Sequence, residues 1–386
     1  MASNRVKTAA VCWLLAVAQH PPVPFVTGVQ LPACRLLEEH SGAPTNTSRI
    51  IVVGDVHGSN AGLREILVAA QVMDSTETCT WSRSEANRGT TLVQMGDIVD
   101  RGDEALEAWE CLDQLSATRP AEDGEVVRLI GNHELWWLEN KFHMRNSKAD
   151  TKDKVLKLVR SMKSQINQGE LVGAKTIWVK GVPRLFVHAG YRATFLEASR
   201  AKGATALVDE LNAALIDAMT HCSRDWKACP FDRYGELFEA GPERGGKFLG
   251  GPVWSDFAVL KSDNIKNGRG HSPQEFIQVV GHSAVHCDDG DDSNGWPDLA
   301  HCGALIRVTE DVESVCVDGG MYQGTRSFLA VNTFSGALLA HEKDAEGSEW
   351  TTRQLNSFEL CSTSTSTSTS TSTSTSTTTS SLSGSV

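Results

Sequence analysis

Five short stretches of the sequence end a hydrophobic run with residue types that bind metal ions. They are IVVGDVHG (51–58), LVQMGDIVDRG (92–102), VRLIGNHE (127–134), LFVHAG (185–190) and VVGHSAVH (279–286). Together they supply carboxylate, amide and imidazole donors from Asp55, Asp97, Asn132, His57, His188 and His282. A set of oxygen and nitrogen donors without a thiolate is typical of Mn²⁺, Fe or Zn²⁺, and not of Ca²⁺ or a cysteine-held structural zinc.

The number of donors points to two ions. Six protein ligands are too many for one catalytic ion with an open position, but they suit two divalent ions about 3.5–4 Å apart that share a carboxylate and a water. A single Asp or His after a strand is more often a turn former or a helix cap. Five such stretches in one chain favour a dinuclear metal centre.

The elements that carry these donors alternate between strands and helices. Strands are predicted at 49–53, TTLVQM (90–95), 125–130, 276–282, 303–310, 312–318 and 326–332, a hairpin at 175–190, and helices at 61–70, 104–115, 152–166 and 204–220. Near-continuously apolar strands between helices predict an α/β sheet that is buried on both faces. In such sheets ligands bind at the carboxyl ends of the strands, which is where the six donors stand. One α/β domain over 49–355 accounts for this pattern.

The wording of the motifs resembles a known family. GDVHG, GDIVDRG, GNHE, the HAG histidine and the late GH are similar to the motifs of the calcineurin-like metallophosphoesterases, within the phosphoprotein phosphatase superfamily. GGPVW, VVGHS and VDGGM resemble the bacterial-type, Shewanella-like protein phosphatases. The resemblance covers 49–332. It implies an α/β fold with a metallophosphatase-type β-sandwich, in which two mixed sheets are flanked by helices as four layers, α/β/β/α.

The resemblance also implies a role for each motif residue. Asp55 and His57 would hold the first metal ion, and Asp97 would bridge both ions. The second ion would be held by Asn132, His188 and His282. The catalytic residues would be Asp100, His133 and Arg101. Asp100 and His133 would form the proton-donating pair, and Arg101 would bind the phosphate together with Asn132.

The function implied is a dinuclear-metal phosphomonoesterase. Its expected substrate is a phosphorylated protein (Ser/Thr or Tyr) or a small phosphoester, attacked directly by a metal-bridging hydroxide. The alternative within the enzyme class is hydrolysis of nucleotides or diadenosine polyphosphates with the same metal centre. A catalytically inactive binding module is disfavoured because every expected ligand and acid–base residue is present.

Some residues near the motifs are not predicted to bind metal. Asp256 stands where the resembled branch carries an arginine, so Arg269 is the candidate for a second phosphate-binding arginine. His286 lies four residues after the GH histidine and is not predicted as a ligand. Trp136 and Trp137 follow GNHE on a predicted helix, where core packing is favoured over a wall for the substrate.

The two ends of the chain differ from the middle. Residues 1–18 combine Arg5 and Lys7 with a short apolar run, which is typical of a secretory signal peptide, with an organelle leader as the alternative. Residues 19–48 form a Pro-rich arm, and 356–386 a Ser/Thr-rich tail predicted to be disordered. The chain is therefore expected in the secretory pathway, outside the cell or in an organelle.

The cysteines indicate the redox compartment, and the net charge excludes one class of binding partner. Cys222 with Cys229, and the set Cys287, Cys302 and Cys316, are predicted disulfide partners in an oxidising compartment. The formal net charge is −12, from 36 Lys and Arg against 48 Asp and Glu, which argues against an electrostatic nucleic-acid binder. The N-terminal apolar run is too short to cross a bilayer, so no membrane span is predicted.

Overall fold

Alternate residues of the first strand, Arg49–Val53, face two different apolar environments. Ile50 and Val52 join a cluster of residues in or next to strands, whereas Ile51 and Val53 join a cluster that includes most of the helices. Side chains of a strand point alternately to its two faces. The strand is therefore covered by a second sheet on one side and by helices on the other, as the apolar sequence predicts.

The computed structural model describes residues 48–120, 124–146, 148–199, 201, 203–222, 229–241, 246, 250–260, 276–284, 306–308, 314–343 and 349–355. The predicted leader, arm and tail lie outside these ranges, as do Arg269, His286, Cys287 and Cys302. The predictions made for them, and the domain bounds 49–355, stay predictions.

The strands form two mixed sheets. In chain order they are β1 Arg49–Val53, β2 Thr90–Gln94, β3 Val126–Leu129, β4 Leu171–Val172, β5 Ala174–Val179, β6 Val182–Val187, β7 Ile277–Val280, β8 Arg307–Val308, β9 Ser314–Cys316, β10 Arg326–Asn332, β11 Leu338–Lys343 and β12 Thr351–Leu355. The seven-stranded sheet has the order β12-β11-β10-β1-β2-β3-β4, and the five-stranded sheet β5-β6-β7-β9-β8. Strands β1 to β4 run parallel, as do β6, β7 and β9.

Helices cover the outer face of each sheet. They are α1 Asn60–Ala69, α2 Ala105–Thr118, α3 Asn132–Leu138, α4 Lys152–Gln168, α5 Ala193–Ala198, α6 Gly203–His221 and α7 Gly235–Phe238. Helices α1, α2 and α4 contact strands β10, β3 and β4, and α6 contacts β5 and β6. The layers follow the order helix, sheet, sheet, helix, which confirms the predicted metallophosphatase-type fold. None of the described helices combines the length and apolar character needed to cross a membrane.

Specific polar contacts fix the helix positions. The hydroxyl of Thr151 accepts the Lys154 N–H at the start of α4, and Gly169 ends that helix with a φ of 74°. In α6, the Asn212 side-chain oxygen accepts the N–H groups of Gly173 and Ala174 at 2.7 and 3.1 Å. This amide ties α6 to the beginning of β5.

The structure corrects some local predictions. Strands β4, β11 and β12 were not predicted, because β4 has two residues and β11 and β12 each carry several polar side chains. Ser59 occupies the N-cap of α1, but its side chain makes no capping hydrogen bond. The neighbouring Asn60 accepts from Arg64 Nε at 3.2 Å instead.

Two disulfides lie in the described part of the chain. Cys222–Cys229 confirms the predicted pair, and Cys79–Cys111 joins the segment after α1 to helix α2, a pairing that the sequence did not indicate. Cys316 is buried, with its Sγ 3.5 Å from the Gly281 carbonyl oxygen.

Removing the Cys79–Cys111 bridge is expected to destabilise the fold more than removing Cys222–Cys229. The bridges span 32 and 7 residues, and loop-closure entropy predicts losses of about 4 and about 2 kcal/mol in the free energy of unfolding. Urea unfolding of the two double-alanine variants measures both losses. Equal losses, or a larger loss for the bridge that closes the short loop, would contradict the loop-closure explanation.

Candidate metal centre

Ligand-type side chains from both sheets meet at one edge of the sandwich. Asp55 and Asp97 follow β1 and β2, and Asn132 follows β3, while His188 and His282 follow β6 and β7. Asn132 does not lie in a loop as predicted, because it is the first residue of α3. All five side chains are buried.

The two sets of loops approach each other closely. A Cβ atom on Gly96, whose φ is 98°, would lie 2.7 Å from the Gly131 nitrogen and 2.9 Å from His188 Nδ1. A side chain at this position would therefore push the five-stranded sheet's histidine out of the site. Only glycine satisfies both the φ and the spacing.

Asp97 is the centre of the arrangement. Its Oδ2 lies 3.4 Å from His188 Nε2, 3.7 Å from His57 Nε2 and 3.8 Å from His133 Nε2. Two groups of potential ligands share this carboxylate, His57–Asp97–His133 and Asp97–His188–His282, with the donor atoms of each group within 4.8 Å of one another. This is the geometry that a bridging carboxylate requires.

The second group also contains the predicted amide. Asn132 Oδ1 lies 3.0 Å from His188 Nε2 and 2.9 Å from His282 Nδ1, and the two imidazole nitrogens are 3.2 Å apart. Three donor atoms on three different elements thus converge on one point, as the sequence predicts.

Asp55 contacts the backbone of this second group. Both of its carboxylate oxygens accept the His282 backbone N–H, at 3.0 and 3.1 Å. Burial, followed by the nearby charges of Asp318 and Asp97, raises the pKa of Asp55 well above its ordinary value. Three buried carboxylates in this volume repel one another unless cations are bound between them.

Backbone carbonyls orient two of the imidazoles. His57 Nδ1 lies 2.9 Å from the Val99 oxygen, and His188 Nδ1 lies 2.7 Å from the Met95 oxygen. When Nδ1 donates its proton to a carbonyl, Nε2 carries the lone pair that a metal ion needs. In both rings that Nε2 faces Asp97.

The charge states suit metal binding. Burial lowers the pKa of His57 to about 3, so this imidazole is neutral at ordinary pH. For Asp97, burial acts to raise the pKa, but His188 and His133 outweigh it and hold the pKa well below its ordinary value. For His188, burial acts to lower the pKa and the Asp97 charge outweighs it, so the pKa is raised. An anionic bridge among imidazoles fits a pair of divalent cations.

The predicted acid pair is formed. His133 Nδ1 lies 2.7 Å from Asp100 Oδ2, and Trp137 Nε1 donates to the other oxygen of Asp100 at 2.7 Å. Trp137 is buried in the core as predicted, and it also orients the carboxylate. His133 Nε2 is left facing Asp97 and the metal centre.

Arg101 is half-buried beside the first group. Its guanidinium carbon lies 4.5 Å from the centre of the Tyr322 ring, and that ring stands perpendicular to the His57 ring at 5.4 Å. Tyr322 was not identified from the sequence. It follows the VDGGM stretch, but no local pattern connects it to Arg101.

An aromatic wall borders the opposite side. Trp136 is partly exposed, and its ring lies 5.0 Å from both His133 and Trp254. The Trp254 ring is 6.2 Å from His282. Trp136 therefore packs against the core, as predicted, and also faces the site.

Asp256 lies beside His282. Its Oδ1 is 3.7 Å from His282 Nε2, so a carboxylate faces this histidine. The position cannot supply a positive charge for a phosphate.

Glu134 is a site residue that the sequence interpretation missed. Its carboxylate accepts four backbone N–H groups at 2.8–3.2 Å, from Gly131, Asp97, Ile98 and Val99. It thereby holds the loop after β2 against the start of α3. A glutamate three residues after a helix N-cap is a capping signal, and that spacing in GNHE could have identified it.

A buried acid lies behind the acid pair. Asp150 is 1% exposed, and within the described residues neither carboxylate oxygen has a hydrogen-bond partner. Burial, and then the charge of Asp100, raises the pKa of Asp150 to about 6, against the opposing effect of Arg145 and Lys154.

Segments of the chain are similar to known proteins. Residues 48–250 match the family model described as calcineurin-like phosphoesterase. A Shewanella-like protein phosphatase 2 of Arabidopsis thaliana is 31% identical over 101 residues, which cover 26% of this chain and 24% of that protein. An uncharacterized protein of Schizosaccharomyces pombe is 35% identical over 85 residues, covering 22% and 24%. The matched segments thus span about a quarter of these curated relatives.

Solved structures share the fold. The cold-active protein-tyrosine phosphatase of a psychrophile Shewanella species aligns with a TM-score of 0.51 and 18% identity, covering 80% of this chain and 81% of that chain. A second structure of a cold-active protein tyrosine phosphatase gives a TM-score of 0.53 and 16% identity, covering 80% and 79%.

Replacing Glu134 by glutamine is expected to loosen the site. An amide nitrogen cannot accept the two N–H groups that bond to one carboxylate oxygen, so the free energy of unfolding should fall by about 2–4 kcal/mol. Zn²⁺ affinity, measured by calorimetry, should fall with it. Glu139→Gln, at the partly buried C-cap of the same helix, is the control; equal effects in both variants would refute the role of Glu134.

Replacing Asp150 by asparagine is expected to stabilise the protein in a pH-dependent way. The folded pKa, about 6, is above the ordinary value of 3.8, so the wild type loses stability as pH rises from about 4 to about 6. The variant should gain about 1–3 kcal/mol at pH 8 and nothing near pH 4. Unfolding curves at both pH values measure this; a pH-independent gain would contradict it.

Proposed function

Because the chain belongs to the calcineurin-like phosphoesterase family, we propose that it is a metal-dependent hydrolase of phosphate esters. The observation that carries this proposal is Asp97, whose carboxylate is shared by two groups of imidazoles. A shared carboxylate between two potential metal sites, with an acid pair beside it, suits hydrolysis of a phosphate ester better than it suits binding alone.

The proposed substrate is a phosphorylated protein side chain. The half-buried Arg101 supports this, because a planar guanidinium binds two phosphate oxygens at once. The similarity to an Arabidopsis protein named a protein phosphatase supports it too. The choice among phosphoserine, phosphothreonine and phosphotyrosine is left to experiment.

The proposed cofactors are two divalent cations, Mn²⁺, Fe or Zn²⁺. The first would be held by Asp55 and His57 and the second by Asn132, His188 and His282, with Asp97 serving both. When bound, such cations supply Lewis acidity towards the phosphoryl group and acidify water at neutral pH.

The proton for the leaving group is proposed to come from His133. Asp100 bonds to its Nδ1 and orients the ring. The Nε2 atom on the other side faces the metal centre and can donate to the departing oxygen. Trp137 donates a hydrogen bond to the other oxygen of Asp100 and fixes this carboxylate, so the His133 ring keeps one orientation.

Charge on the phosphate is proposed to be met by Arg101 and the Asn132 amide. The Asn132 oxygen faces His188 and His282, so its NH₂ group is the end available to a phosphate oxygen. Hydrogen bonds from a charged guanidinium are roughly twice as strong as neutral ones.

The chain is further proposed to work in an oxidising compartment, in the secretory pathway, outside the cell or in an organelle. Two disulfides support this, because such bonds are rare in reducing compartments. The N-terminal sequence of the mature protein purified from its source would test it; an intact residue 1 would refute cleavage of the predicted signal peptide.

Two substitutions should separate metal binding from proton donation. Asp97→Asn removes the shared charge, so metal content and turnover should both be lost. His133→Asn should keep the metal content and lose about 10²–10⁴-fold in kcat towards alkyl phosphates, with a smaller loss for an activated aryl phosphate. Elemental analysis and kinetics on the same samples measure this. An equal loss of metal in both variants would refute the division of roles.

The proposed function is tested by an activity screen. Purified protein with Mn²⁺ is assayed on phosphoserine, phosphothreonine and phosphotyrosine peptides and on diadenosine polyphosphates, with a chelated sample as the control. Hydrolysis of phosphopeptides that chelation abolishes is the expected result. A preference for dinucleotides would favour the nucleotide hydrolase instead, and full activity after exhaustive chelation would refute the metal mechanism.

A further inference from the structure

Arg101 is held in an unusual way for a residue expected to bind phosphate. Its backbone φ is 65°, in the left-handed region, and its N–H donates to the Met144 oxygen at 3.2 Å. Within the described ranges, its guanidinium has neither a hydrogen-bond nor an ion-pair partner. The guanidinium carbon lies over the Tyr322 ring, 4.5 Å from its centre.

The Tyr322 ring is itself firmly positioned. It lies in the single turn Met321–Gln323, which is bounded by Gly320 and Gly324 with φ values of 80° and 100°. The Gly320 N–H donates to the buried Asp318 at 3.0 Å. The ring also contacts His57, perpendicular at 5.4 Å. The ring thus bridges a predicted metal ligand and the predicted phosphate-binding cation.

This arrangement uses different parts of the guanidinium for different tasks. A cation–π contact occupies the flat face of the group, whereas binding of two phosphate oxygens uses the N–H groups at its edge. Stacking on Tyr322 therefore leaves the phosphate-binding edge free. It also restricts the rotamers of a long side chain, so less conformational entropy is lost when phosphate binds.

We propose that Tyr322 is a positioning residue that acts through its ring on Arg101 and sets the affinity of the site for phosphoryl groups. The proposal rests on the proposed function, and it adds a residue that none of the motifs contains. The hydroxyl has no part in it: its described contact is with the neighbouring Gln323 side chain, at 3.1 Å.

The kinetic test compares Tyr322→Phe with Tyr322→Leu in the metal-loaded protein. The phenylalanine variant keeps the ring and should match the wild type. The leucine variant should raise KM, and the inhibition constant for inorganic phosphate, about 5- to 30-fold, with kcat changed less. Tyr234→Leu, a partly buried tyrosine on another turn, is the matched control and should change neither constant.

A double-mutant cycle identifies the route of the effect. If Tyr322 acts through Arg101, Tyr322→Leu should have no further effect on phosphate inhibition in an Arg101→Ala background. An undiminished effect in that background would overturn the proposal. So would a phenylalanine variant that behaves like the leucine variant, because the hydroxyl would then be the active group.

A readout independent of catalysis is the NMR signal of the Arg101 side-chain N–H in metal-free protein. Ring current from Tyr322 should shift it upfield in the wild type and in Tyr322→Phe, and the shift should vanish in Tyr322→Leu. Absence of the shift in the wild type would overturn the stacking itself. If the wild type hydrolysed no phosphoester, the proposed function would fail, while this measurement would still decide whether Tyr322 positions Arg101.

Discussion

Mutual repulsion among buried carboxylates shapes this molecule more than any other interaction. Asp55, Asp97 and Asp318 are each at most 2% exposed, and the charges of Asp97 and Asp318 raise the pKa of Asp55 after burial has already raised it. Burying one charged group without a partner is costly, and burying several together is more so. The imidazoles around Asp97 reduce that cost in part, and cations bound among these groups would reduce it further. The site is therefore built to bind metal.

The backbone also carries strain at the site. Several non-glycine residues adopt left-handed φ values between 45° and 71°: His57, Asp97, Asp100, Arg101 and His282. Each such residue costs about 1–3 kcal/mol and persists only where its surroundings enforce it. At this site the strained backbone is held by Glu134, whose carboxylate accepts hydrogen bonds from four neighbouring backbone N–H groups. The strained loops and the Glu134 carboxylate together fix the orientation of the side chains at the site.

The sequence identified the side chains that converge at the site because each follows an apolar strand and a sharp turn, which is a local pattern. Asp318 follows β9 in the same way and could have been found by that rule. Glu134 could have been found from its capping position. The contact of Tyr322 with Arg101 could not, because it joins loops distant in the chain and depends on how β10 pairs beside β1. Local patterns identify chemistry, whereas cross-sheet contacts need the fold.

The position of the site between two sheets has an energetic consequence. The seven-stranded sheet contributes Asp55, Asp97 and Asn132, and the five-stranded sheet contributes His188 and His282. Apolar packing joins the sheets elsewhere, but at this edge polar groups replace it, and repelling carboxylates act to separate the loops. Cations bound there would be ligated from both sheets, so their binding energy would contribute to the docking of one sheet on the other. Metal affinity and the stability of the sandwich are then thermodynamically linked, because the same side chains contribute to both.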